Sequence, residues 1–109
     1  MWNLVPLWFC NLGKFLCVQK LGEGVKGVYV SIDVDSLDPS IAPGVSHHEP
    51  GGLSFRDILN ILQNLQGDIV GGDVVEYNPQ RDTYDGITAL VAAKLVRELA
   101  AKMSKWSWI

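Results

Sequence analysis

Val28-Tyr29-Val30-Ser31-Ile32-Asp33-Val34 is a β-branched, nearly continuous apolar run that leads into Asp35-Ser36-Leu37-Asp38-Pro39. A short run of this kind reads as a strand covered on both faces, as in the interior of a parallel sheet. Pro39 terminates any regular element it enters, because its ring fixes φ and removes a backbone donor. Upstream, Gly22-Glu23-Gly24-Val25-Lys26-Gly27 reads as a loop.

Downstream, residues 40–52 hold Pro43, Gly44, Pro50, Gly51 and Gly52 and read as a loop. Ser54 and Asp57 have capping-box spacing, with Asp a weaker partner than Glu. Phe55, Ile58, Leu59, Leu62 and Leu65 follow at helical spacing, and Gly67 supplies a stop. Residues 68–76, Asp-Ile-Val-Gly-Gly-Asp-Val-Val-Glu, read as a second strand whose glycines imply close backbone approach or a bulge. Asn78-Pro79 ends it. Asp85 then offers a cap for a helix running to about Ser104, with Ile87, Leu90, Val91, Leu95, Leu99 and Met103 as its apolar stripe. Lys94, Arg97, Glu98 and Lys102 take the wet side. The order βαβα implies an α/β fold with a parallel sheet and right-handed crossovers. Two strands alone make a poor sheet, so this portion expects neighbours.

The acidic residues collect at the strand ends. Asp33 and Asp35 are one residue apart, which on a continuing strand places both side chains on one side with Cα atoms roughly 6 to 7 Å apart. Like charges held so close repel unless a cation lies between them. Carboxylate oxygens suit a hard divalent ion such as Mg²⁺ or Mn²⁺. Glu76 ends the second strand, and ligands of open parallel sheets bind outside the carboxyl ends of strands. On spacing alone a metal role and a turn or cap role for Asp33-x-Asp35 stand level. Asp38, before Pro39, reads as a loop tie. Asp68 and Asp73 read as structural.

Two literal motif matches fail on context. Gly22-x-Gly24-x-x-Gly27 precedes a strand, whereas a dinucleotide fingerprint follows one and opens a helix. An EF-hand loop beginning at Asp33 would need Gly at its sixth position and Glu at its twelfth, which here are Asp38 and Gly44. A hydrophobic strand ending in Asp-x-Asp also suits a nucleotide-sugar glycosyltransferase, whose carboxylates hold a manganese diphosphate; that alternative stays open on the residues alone.

Composition sets outer bounds. The 109 residues are 48% hydrophobic and 19% charged, which points to a folded, well-buried segment. The formal charge is −3 and no basic run appears, so nucleic-acid binding has no electrostatic support. Cys10 and Cys17 lack zinc-site spacing and read as free thiols. Met1 to Val18 are apolar, but Lys14 interrupts the run instead of preceding it. That is unlike a signal peptide and too short and broken for a membrane span.

Ser31-Ile32-Asp33-Val34-Asp35, with Pro39, Pro43, Gly44 and Gly52 at their spacings, resembles the C-terminal signature of the ureohydrolase family of arginases, agmatinases, formiminoglutamases and proclavaminate amidino hydrolases. The likeness runs on through Gly51-Gly52-Leu53-Ser54-Phe55-Arg56, Asp73-Val74-Val75-Glu76-Tyr77-Asn78-Pro79 and the final helix. The wording of residues 43–52 is most similar to plant arginases. The resemblance covers residues 21–104. It leaves residues 1–20 as a segment unlike the family and residues 105–109 as a tail.

The resemblance implies part of a three-layer α/β/α domain around a parallel sheet, and a manganese-dependent hydrolase of a guanidino substrate such as arginine or agmatine, releasing urea. It implies two Mn²⁺ ions, with Asp33 bridging both and Asp35 binding one. It also implies that Glu76 holds the substrate guanidinium and that His47 lies near the pocket; a plain surface-loop histidine stands level with that reading for His47 and ahead of it for His48. A mitochondrial setting follows from the plant likeness, with a cytoplasmic one as the alternative. The family's other ligand stretches, Gly-Gly-Asp-His and Asp-Ala-His-x-Asp, do not occur in the sequence. The expectation is therefore a half-site with no residue assigned to catalysis itself. A non-catalytic chain that associates with full-length subunits or with its own copies is the competing reading.

Overall fold

The computed structural model describes residues 27–65 and 67–104. The apolar start, both cysteines, most of the Gly22–Gly27 loop and the tail at 105–109 lie outside the described residues. Strand β1 spans Val28–Asp33, helix α1 Phe55–Asn64, strand β2 Ile69–Val75 and helix α2 Ile87–Ser104. The strands pair in parallel, as the βαβα order requires. This is a partial α/β fold.

β1 alternates between buried Val28, Val30 and Ile32 and half-buried Tyr29, Ser31 and Asp33. The sequence reading expected both faces covered; among the described residues one face is. Val28, Val30 and Ile32 join Ile58, Ile61, Leu62, Leu95 and Leu99 in a single core. Burial on this scale stabilises by about 25 cal/mol per Å² of apolar surface. The opposite face carries a polar cluster, in which the Tyr29 hydroxyl (2.8 Å) and the Ser31 hydroxyl (2.6 Å) both donate to Asp73. Asp73 is thus engaged within the sheet. Its carboxylate also pushes the Tyr29 hydroxyl above its usual pKa.

The glycine pair behaves as its sequence implies. The register shifts between Val28 and Tyr29, which face Ile69 and Gly71, so Val70 bulges out. A Cβ on Gly72 would stand 2.8 Å from the Val30 carbonyl oxygen and 3.2 Å from Leu99, which packs α2 against β2. Ser54 and Asp57 form the capping box of α1, bonding each other's backbone N–H at 3.0 and 3.1 Å.

Helix α2 departs from expectation at its start and along its stripe. Asp85 does not cap it. Asp82, three residues earlier, accepts the N–H groups of Thr88 and Ala89, and the Thr83 hydroxyl accepts that of Ile87. Gly86 takes φ +70° and turns the chain into the helix, so the donors point back to Asp82 and Thr83. Of the expected stripe, Leu95 and Leu99 are buried, while Leu90 is 66% exposed and Ile87 and Met103 are exposed at the helix ends. Thr88, not read from the pattern, is fully buried.

Candidate metal centre

The first strand does not run on through Asp35. It ends at Asp33, and Val34–Ser36 form a 3-10 turn. The cause is local: Asp33 Oδ1 accepts the Asp35 N–H at 2.8 Å, and the Ser36 hydroxyl donates to the Asp33 carbonyl at 2.7 Å. Short polar side chains offer the backbone this alternative to a ladder. The equal-sided pair expected from strand geometry is thereby corrected to one carboxylate at a strand end and one on the turn that follows.

The turn changes what surrounds Asp35. Its Oδ1 is buried and has no hydrogen-bond partner among the described residues. Burial first, then the charges of Asp33 and Glu76, raise its pKa above the ordinary carboxylate value, against the opposing influence of His47 and His48. His47 Nδ1 lies 4.0 Å from Asp35 Oδ2. Asp33, Asp35, Glu76 and both histidines therefore share one electrostatic neighbourhood. Asp33 and Asp35 stand in it as a pair; among the described residues no group of three or more His, Cys, Asp or Glu side chains is arranged to hold a metal ion.

Glu76 follows β2 directly and is exposed. Its φ of +71° is in the left-handed region, where a non-glycine residue costs on the order of 1–3 kcal/mol. The strained backbone turns the chain at the mouth of the sheet, one residue past β2.

Two loops frame this mouth. Asp38, read as a loop tie, holds the first: it accepts from the Ser40 N–H and hydroxyl and from the N–H groups of Gly51 and Gly52. The Ser40 bonds foremost, with those from Gly51 and Gly52, lower its carboxyl to a pKa of about 2. A Cβ on Gly52 would fall 2.7 Å from the Asp38 nitrogen, so the backbones meet where only glycine fits. A small recess of about 120 Å³, lined by Asp35, Ser36, Glu49, Pro50, Gly51, Gly52 and Leu53, opens beside the acidic pair.

The second frame is a clasp that the sequence reading did not find. Asp82 collects the Tyr77 hydroxyl at 2.9 Å and the N–H groups of Thr83, Thr88 and Ala89. Burial opposes its ionisation, yet the bonds from Thr88, Ala89 and Thr83 prevail and hold its carboxyl well below the usual range. Thr88 Oγ1 in turn accepts the Gly44 N–H at 2.8 Å. No short-range pattern marks this set, because its members belong to a strand exit, a helix start and a loop more than thirty residues away.

A donor set of two aspartates, one with a buried and unpartnered oxygen, fits a hard divalent cation: the cation supplies the charge that both carboxylates lack.

Residues 16–101 match the sequence profile of the Arginase family. The match begins inside the apolar start and ends within α2. Over 86 residues the chain is 99% identical to "Arginase, mitochondrial" of Medicago truncatula, covering 79% of this chain and 25% of that protein. The chain thus spans about a quarter of the length of the curated relatives it matches. Among solved structures, arginase from Medicago truncatula superposes with a TM-score of 0.72 at 99% identity, covering 75% of this chain and 26% of the other. Proclavaminate amidino hydrolase from Streptomyces clavuligerus superposes at 0.73 with 35% identity, covering 91% and 33%.

Proposed function

The chain belongs to the arginase family, and from that membership we propose that it carries one half of a dimanganese ureohydrolase site, with arginine as substrate and ornithine and urea as products. Asp33 and Asp35 would hold the manganese from this side of the site. Glu76 receives the guanidinium, and His47 borders the pocket. The observation that carries this reading is the Asp35 carboxylate, with one oxygen buried and unpartnered next to Asp33 and within reach of the charge on Glu76.

When bound, manganese supplies Lewis acidity and an acidified water at neutral pH. The chain's own residues supply position. Glu76 accepts N–H groups of the guanidinium in charge-assisted bonds, stronger than neutral ones. Held there, the guanidinium carbon faces the acidic pair, which replaces a bimolecular encounter with an oriented one. The strained φ of Glu76 sets the direction from which its carboxylate approaches. The setting is mitochondrial, as the names of several relatives suggest.

By the same reading the 109 residues hold an incomplete ligand set and release no urea alone. With Mn²⁺ present, arginine binds this chain weakly by calorimetry, and Glu76→Gln removes the heat of binding. Arginine binding that survives Glu76→Gln unchanged would take the guanidinium role away from Glu76. Measurable urea from contaminant-free chain would overturn the half-site claim.

A further inference from the structure

The loop that carries His47 is tied to the strand exit that carries Glu76, and the ties sit next to both residues. The Asn78 N–H donates to the Gly44 carbonyl at 2.7 Å, and the Asn78 side-chain amide donates to the Ser46 hydroxyl at 3.0 Å. Ser46 immediately precedes His47, and Asn78 stands two residues after Glu76. On its far side Gly44 is gripped by Thr88, and a Cβ there would stand 2.9 Å from the Thr88 Cβ. Asn78 is itself fixed, because its Oδ1 accepts the Gln80 N–H at 3.1 Å as the cap of the Pro79–Arg81 turn.

The consequence differs between the two histidines. The His48 ring turns back on its own loop, with Nε2 donating to the Pro43 carbonyl at 2.7 Å. Among the described residues His47 makes no such local bond; its side chain is 85% exposed, with Nδ1 4.0 Å from Asp35 Oδ2. The tie from Ser46 to Asn78 anchors the backbone from which His47 projects.

We infer that Ser46 and Asn78 form a latch that positions His47 over Asp35 and fixes its separation from Glu76, so that the pair sets the width of the guanidino pocket. The inference rests on the half-site reading above for the pocket's occupant. Its geometry stands on hydrogen bonds that need no metal. Ser46 and Asn78 touch no reacting group and act through His47 and Glu76, which makes them positioning residues.

The test uses the full chain by NMR, first without metal. In the unsubstituted chain the His47 ring shows a nuclear Overhauser contact to the Asp35 β protons. Ser46→Ala and Asn78→Ala each lose that contact, while the Tyr29–Asp73 and His48–Pro43 neighbourhoods keep their signals. Ser46→Thr, which retains the hydroxyl, restores it. Mn²⁺ is then added as the probe: it broadens the His47 ring signal before that of His48 in the unsubstituted chain, and the two alike in both alanine variants. A His47–Asp35 contact that persists in Ser46→Ala and Asn78→Ala overturns the latch, as does one that Ser46→Thr fails to restore. If the metal-free contacts behave as stated but Mn²⁺ broadens neither histidine, the latch stands and the manganese reading falls. Should an alanine variant unfold, its Tyr29 and Leu99 signals collapse together, and Ser46→Gly with Ser46→Thr decides the same contact.

Discussion

Asp35 holds a carboxylate that is costly in the metal-free chain. Its pKa is raised by burial and by the neighbouring charges of Asp33 and Glu76. A group held more protonated in the folded than in the unfolded state weakens the fold as pH rises through its folded pKa. Asp35→Asn is therefore expected to stabilise the metal-free chain at neutral pH by on the order of 1 kcal/mol. The gain disappears below the ordinary carboxylate range, as denaturant midpoints at acid and neutral pH would show. Asp38 has the opposite sign. Its stabilising bonds are fully present above the ordinary range near ~4 and are lost as pH falls toward about 2. Amide exchange at Gly51 and Gly52 should accelerate over that window, and Asp38→Asn should flatten the dependence. The acidic residues near the strand ends were legible as positions because alternation and charge are local, but spacing left Asp33 and Asp35 level between a metal and a turn role, and the roles of Asp35 and Glu76 came from the family resemblance. The 3-10 turn at Val34–Ser36 and the left-handed Glu76 were not legible. Asp-x-Asp has the same letters whether the first side chain points into a site or caps the second residue's N–H.

At the scale of elements, the strands and helices fall where hydrophobic periodicity puts them, and the bulge at Val70 and the close approach at Gly72 adjoin or belong to the glycine pair that implied them. Gly72→Ala is expected to cost about 1–3 kcal/mol, as overpacking does, since its Cβ would meet the Val30 carbonyl at 2.8 Å. A thermal or denaturant midpoint indistinguishable from the unsubstituted chain would show that the β1–β2–α2 junction has slack. The start of α2 is the element that spacing misassigned. Asp85 sits at a plausible capping distance from the first apolar residue, but Gly86 at φ +70° redirects the helix donors to Asp82 and Thr83. Capping rules assume the chain enters the helix directly, and here a glycine turn intervenes. The apolar stripe of α2 misled for a different reason: Ile87, Leu90 and Met103 are exposed among the described residues, because a hydrophobic pattern marks an apolar face without saying what covers it.

At the scale of the whole molecule, the described sheet has two strands, with Val70 and Val75 exposed along β2. The chain spans about a quarter of the length of its curated relatives, and the portion it holds contains the mouth at which β1, β2 and two loops converge. That convergence gives the acidic pair its meaning: Asp38 ties the 40–52 loop, Asp82 ties the chain entering α2, Thr88 joins the two at Gly44, and Asp35 keeps an oxygen that nothing among the described residues satisfies. A bound cation would satisfy it. The direct measurement is a titration of the 109-residue chain with Mn²⁺, following the free ion by electron paramagnetic resonance, beside the double variant Asp33→Ala with Asp35→Ala. Weak, saturable Mn²⁺ binding is expected in the unsubstituted chain and none in the double variant, with both chains folded by circular dichroism. Equal binding in the two chains, or none in either, would contradict the half-site reading.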